Sequence, residues 1–316
     1  MKRTTLVAPI AVVLALHPLC QPAARALQVE PAPVIGRWDL TVTTESGSHP
    51  SWLEVRQSGD RTLVGRFVGQ FGSARPISRI EFTDDVLRFA IPPQWEPGDG
   101  DLRVEGELDG DRLSGWMIDP AGNRSTWTAE RAPSLRRATP PAWGTPIPLF
   151  DGTGMARWQT TGGESHWRVV DGTLTNVAAG ANLVTRETFT DFRLHVEFRY
   201  PAGGNSGVYL RGRYEVQIED SGGLEPADDH LGAIYGFLPP SEDRAKRPGE
   251  WQEFDITLVG RLVTVVLNGT TIISNREIPG ITGGALDSDE AAPGPLVLQG
   301  DHGPVEYRNI VLTPAR

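Results

Sequence analysis

The chain predicts an all-β protein of two domains, a small antiparallel barrel or meander followed by a larger jelly-roll sandwich. Three observations carry this. Apolar residues recur at alternate positions in short runs, as on strands with one buried face. The runs stop at clusters of Gly, Asp, Asn and Pro. Asp171-Gly172 and Asn268-Gly269 each stand between two such runs, and these dipeptides supply the positive backbone angles of a tight hairpin. No long stretch carries the period of a helix.

Residues 1–26 read as an export signal. Lys2 and Arg3 precede the twelve-residue apolar run "TLVAPIAVVLAL", and Ala24-Arg25-Ala26 supplies a small-residue cleavage site. The run is too short to span a bilayer as a helix. The single cysteine, Cys20, lies inside this segment. Lipidation there is the weaker reading, because Leu19 is larger than the small residue expected before a lipid-bearing cysteine. A periplasmic or secreted protein is expected, with no membrane insertion after cleavage and no disulfide. Cleavage removes three of the 30 basic residues and none of the 40 acidic ones, for a balance of about −13. That excess of negative charge argues against nucleic acid and anionic lipid as partners.

Residues 35–131 form the first domain, with alternating segments such as "RWDLTVT", "SWLEVRQ", "VLRFAIP" and "STWTAER". Ser58-Gly59, Asp109-Gly110 and Gly122-Asn123 mark its turns. Seven or eight strands are expected, closed between Trp38 and Trp127. No catalytic set stands out, and the domain is expected to be separable. Residues 132–147, "APSLRRATPPAWGTPI", are rich in proline and arginine and read as a linker or a strap laid on a surface. The second domain covers residues 148–316, and alternating strands run through it to "VEYRNIVLT".

One face of the second domain is unusually polar. In "GVYLRGRYEVQIED", Val208 and Leu210 alternate with Tyr209 and Arg211, and Tyr214, Val216 and Ile218 alternate with Glu215, Gln217 and Glu219. Gln299 and the pair Glu306 and Arg308 extend the pattern. Such a face is either bathed in water or holds a polar ligand, and taken together the residues favour a ligand groove. The acidic cluster Asp287, Asp289 and Glu290 reads as a solvated loop.

Seven motifs follow one another in order: "LFDGTGMARW", "HWRVVDGTLT", "LVTRETFTDFRLHVEFRYPAGGNSGVYLRGRYEVQIEDS", "GAIYGFLPPS", "PGEWQEFDITLVG", "LNG" and "LQGDHGPVEYRNIVL". The series resembles the 3-keto-disaccharide hydrolase-like domain family, over residues 148–313. The resemblance implies a concanavalin-like sandwich and cleavage of glycosides already oxidised to a ketone at carbon 3. It also implies an upstream sugar 3-dehydrogenase to supply that substrate. Matched motif by motif, it marks Asn205, Arg211, Glu215, Gln217, Asp220, Tyr235, Gln299, His302 and Arg308 as groove residues. The first domain lies outside it.

The chemistry is constrained by what the strand lacks. Concanavalin-like glucanases carry E-x-D-x-x-E, whereas here the spacing reads Glu215-x-Gln217-x-x-Asp220, with an amide in the middle. Glu215 and Glu219 share a face but stand about 13 Å apart, beyond even an inverting pair of carboxyls. A 3-keto sugar needs less: one base to remove the acidified carbon-2 proton, a group to steady the enolate oxygen, and an acid for the leaving group. His302 is the expected base on intrinsic pKa, with Glu215 to orient it or to replace it and Asp220 as the third catalytic candidate. Asn205, Arg211, Gln217, Tyr235, Gln299 and Arg308 are the expected substrate-binding residues. Arg211 or a divalent metal could hold the enolate. A glycan-binding module without chemistry and a conventional glucanase remain the alternatives.

Overall fold

The computed structural model describes residues 32–316; the expected signal and Cys20 lie outside the described residues. Ala32–Arg316 forms one compact unit. Eight strands open it: β1 (Gly36–Thr44), β2 (Gly47–Ser58), β3 (Thr62–Val68), β4 (Arg75–Thr83), β5 (Val86–Ile91), β6 (Leu102–Asp109), β7 (Arg112–Ile118) and β8 (Arg124–Arg131). Each pairs antiparallel with the next, and β1 pairs with β8 to close a barrel. Trp38, Trp127, Phe67 and Leu40 are buried in its interior. Gly106 leaves the room that Trp127 takes, since a Cβ there would meet the indole at 2.4 Å.

Thirteen strands follow: β9 (Ile147–Phe150), β10 (Trp158–Thr161), β11 (Trp167–Val170), β12 (Thr173–Asn176), β13 (Asn182–Thr185), β14 (Phe192–Arg199), β15 (Asn205–Leu210), β16 (Tyr214–Glu219), β17 (Gln252–Val259), β18 (Leu262–Leu267), β19 (Thr270–Glu277), β20 (Val297–Leu298) and β21 (Val305–Pro314). They make two sheets. One runs β10-β13-β20-β15-β16, the other β11-β12-β21-β14-β17-β18-β19, with β9 paired to β21. Val208, Leu210, Val216 and Ile218 on the first sheet pack with Leu194, Val196, Phe254 and Ile256 on the second. Both expected hairpin dipeptides sit in tight turns with positive φ: 49° and 74° at Asp171-Gly172, 50° and 80° at Asn268-Gly269. A third such turn, Asp84-Asp85, uses two carboxylate residues at 51° and 61°.

The barrel and the sandwich share a core. Trp52 and Val68 of the barrel belong to the sandwich's hydrophobic cluster, and Trp52 meets Phe237 edge to face at 5.3 Å. Gly280 permits the approach, because a Cβ there would lie 2.1 Å from the Trp52 indole nitrogen. The first domain is therefore not an independent body. Alternation told which residues of β2 face the barrel interior, but not that its outer face also finds an apolar partner. The proline-rich segment is a strap on the sandwich: Arg136 pairs with Glu277 and Arg137 with Asp191, at 3.1 and 2.9 Å.

Asp287 and Glu290 also correct their sequence reading. Asp287 pairs with buried Arg213 at 2.7 Å. Glu290 is fully buried and holds Arg261 and the Tyr214 hydroxyl at 2.8 Å each. Facing it is Asp39 of β1. Burial, then the Glu290 carboxylate beside it, pushes Asp39 up to about 8. The loop anchors the sandwich to the barrel.

Candidate functional site

The polar face of β15 and β16 is enclosed. Its alternation is as expected, with Tyr214, Val216 and Ile218 in the core and Glu215 and Gln217 opposite. Yet Glu215 is only 3% exposed and Gln217 only 4%. They form the floor of a cavity of about 460 Å³, within the size range of small-molecule sites. Asn205, Tyr235, Gln299 and His302 line the same cavity, with Tyr209 and Asp301. Its rim also takes Phe71, Gly72 and Trp95 from the barrel.

Glu215 owes its place to a glycine. Gly207 lies beside it on β15, and a Cβ there would stand 2.2 Å from Glu215 Oε1. The carboxyl is laid over that bare backbone. The Tyr209 hydroxyl donates to Oε2 at 2.9 Å. Gln217, with its amide nitrogen facing inward, donates to Oε1 at 3.1 Å and to the Ser206 carbonyl at 3.2 Å. Burial dominates the acidity and pushes Glu215 up to about 8, against the Tyr209 hydrogen bond and the charge of His302. Around neutral pH this carboxyl holds its proton.

His302 is positioned by its neighbour. Its Nδ1 lies 2.7 Å from Asp301 Oδ1, and this hydrogen bond holds its pKa above the ordinary imidazole value while partial burial pulls the other way. The pairing leaves Nε2 free, and Asp301, not Glu215, orients the ring. Gln299 brings its Oε1 into the site buried and without a hydrogen-bond partner, an acceptor ready for a hydroxyl donor.

Three expected residues lie elsewhere. Arg211 is 2% exposed and donates to the Tyr214 hydroxyl and to the backbone oxygens of Glu290 and Gly260. Strand alternation would put it beside Tyr209, but β15 ends at Leu210 and Arg211 takes a left-handed φ of 55°. That turn swings its side chain away from the cavity. Arg308 belongs to the other sheet, where it pairs with Glu197 at 2.6 Å and stacks over Trp251. Asp220 follows the end of β16 and accepts the Gly203 backbone N–H at 2.9 Å, which ties the hairpin's far end together.

Of the residues that sequence reasoning left out, Asp301 stands directly before His302 and could have been read as its partner. Phe71 and Trp95 carried no such signal. Among the described residues no three His, Asp or Glu side chains gather as a metal cage, and Asp301 and His302 are engaged with each other.

Residues 145–313 match the model of the 3-keto-alpha-glucoside-1,2-lyase-like domain. The chain belongs to this family. The match makes the sandwich a carbohydrate-active domain and leaves the barrel outside it. Two solved structures of candidate glycosyl hydrolases from Parabacteroides distasonis are similar to part of this chain. One is 29% identical over 57% of this chain and 93% of its own, with a TM-score of 0.46. The other is 27% identical over 54% and 98%, with a TM-score of 0.43. A comparison with curated proteins finds no match.

Proposed function

We propose that the family domain cleaves 3-keto-glycosides by elimination across carbons 1 and 2, with rehydration completing a net hydrolysis. The observation that carries this is the meeting of a buried, proton-holding carboxyl, Glu215, with a carboxylate-held imidazole, His302, in one cavity of sugar size. A conventional retaining glycosidase needs two free carboxyls at short range, and here the second one, Asp301, is engaged by His302.

In this reading neutral His302 takes the carbon-2 proton, and the C–H electron pair moves into the enolate of the carbon-3 ketone. Collapse of the enolate restores the ketone, forms the carbon-1 to carbon-2 double bond and breaks the bond from carbon 1 to the leaving oxygen. Glu215 gives that oxygen its proton. Water then adds at carbon 1, and a proton returns to carbon 2. Gln299 Oε1 accepts a hydroxyl of the sugar, and Tyr209 and Gln217 keep Glu215 in place. The substrate ketone presupposes a prior oxidation at carbon 3 by a sugar dehydrogenase, and the export signal would put both reactions outside the cytoplasm.

The test is isotopic. In heavy water the hydrated product should carry deuterium at carbon 2, and the unoxidised glucoside, whose carbon-2 proton is not acidified, should be inert. Product free of that deuterium, or brisk turnover of the unoxidised sugar, would rule the mechanism out.

A further inference from the structure

The barrel contributes two aromatic side chains to the rim of the site, and both are left largely exposed. Trp95 is 71% exposed and Phe71 62%, yet both line the cavity that holds Glu215 and His302. Exposed aromatics gathered at a cavity mouth mark a binding surface rather than a core.

Their loops are fixed. Glu96 accepts the backbone N–H groups of Gln94 and Trp95 and pairs with the largely buried Arg75 at 2.6 Å. Gln94 bonds both the backbone and the hydroxyl of Ser73. The indole lies over Gly72, where a Cβ would meet its Cδ1 at 2.7 Å. The Gly284 N–H donates to the Gln70 carbonyl at 2.8 Å, so the barrel loop is stitched to the segment whose Gly283 carbonyl accepts the Tyr209 hydroxyl. The aromatics are thus held in register with the reacting groups.

We propose that Trp95 and Phe71 form a leaving-group platform, so that the barrel completes the site and selects keto-glycosides whose leaving group has a broad apolar face. An aryl aglycone and the face of a second pyranose share that chemistry. The proposal rests on Glu215 and His302 being the reacting pair and puts the platform outward of carbon 1.

The experiment compares the full-length protein with Trp95→Ala, Phe71→Ala and Trp95→Phe. The substrates are a 3-keto methyl glucoside, a 3-keto phenyl glucoside and a 3-keto glucosyl-glucose. The readout is the ratio of kcat/KM for each bulky substrate to that for the methyl one. Trp95→Ala should lower the ratio at least about tenfold, the scale of a lost apolar contact in a pocket, and Trp95→Phe should retain most of it. The arm that falls further identifies an aryl or a sugar leaving group. An unchanged ratio in both arms overturns the platform. Binding of unoxidised phenyl glucoside and of the parent disaccharide, followed by tryptophan emission, gives a readout independent of turnover. If the wild type turns over no 3-keto-glycoside, the proposed reaction fails. The platform then still stands if this emission change is present in the wild type and absent in Trp95→Ala, and falls if the wild type shows none.

Discussion

Glu215 and His302 are coupled through the acidities their surroundings impose. With His302 raised above its ordinary value and Glu215 raised to about 8, kcat/KM should follow a narrow bell with an alkaline limb near 8 as Glu215 loses its proton. Asp301→Asn removes the group that holds His302 up, so its acid limb should move to lower pH. His302→Ala should cost on the order of 10²–10⁴ in rate. Glu215→Gln should spare a phenyl leaving group more than a methyl one, since only the poorer one needs the proton. If both substrates suffer equally, Glu215 is not the acid. Gly207→Ala is the most local test. Its Cβ would displace the Glu215 carboxyl, so activity should fall steeply while far-ultraviolet circular dichroism stays that of the wild type.

At the scale of elements, the turns carry both legibility and risk. Asn268 ties its hairpin to neighbouring chain twice: its Oδ1 accepts the Glu253 N–H of β17 at 3.1 Å and its Nδ2 donates to the Arg244 carbonyl at 2.8 Å. Asn268→Ala should therefore cost about 1–3 kcal/mol, measured by denaturant unfolding, more than a bare change of turn propensity. Period-two patterns and Asn-Gly or Asp-Gly dipeptides state local geometry directly, which is why the barrel strands and both hairpins were legible. The same periodicity placed Glu215 and Gln217 on the site face. It failed one step past the strand end, at Arg211, where a single left-handed residue reverses the direction of the side chain. It also could not say which of two sheets faces the cavity, and so Arg308 was grouped with residues of the other sheet. Burial of the polar face was beyond the sequence, because loops far along the chain roof it.

Across the whole molecule, the joint between barrel and sandwich should be sensitive to pH. Asp39 keeps a proton in the folded protein up to about 8 but loses it near 3.8 when unfolded. The unfolded chain binds fewer protons between those values, so stability is full below the lower one and falls as pH rises through the higher. The thermal midpoint of Asp39→Asn should decline less than that of the wild type between pH about 5 and about 9. Equal slopes would remove Asp39 from the joint. A chain starting near Pro140 would bare the apolar patch that Trp52 covers, and it should aggregate or melt well below the full-length protein.

The order of pairing also sets when the site can exist. Apart from the closure of β1 on β8, every barrel ladder joins neighbours in sequence, so the barrel can zip up hairpin by hairpin. The sandwich cannot. Strands β9, β12 and β14 all wait for β21, and contacts so distant along the chain close slowly. Asp301 and His302 sit just ahead of that strand, and the Gly300 and Gly303 carbonyls there accept the Asn176 amide. A folding chain can therefore hold a closed barrel, with Trp52 uncovered, beside an unfinished sandwich. The cavity is complete only with the last ladder, and the apolar face around Trp52 stays bare until then.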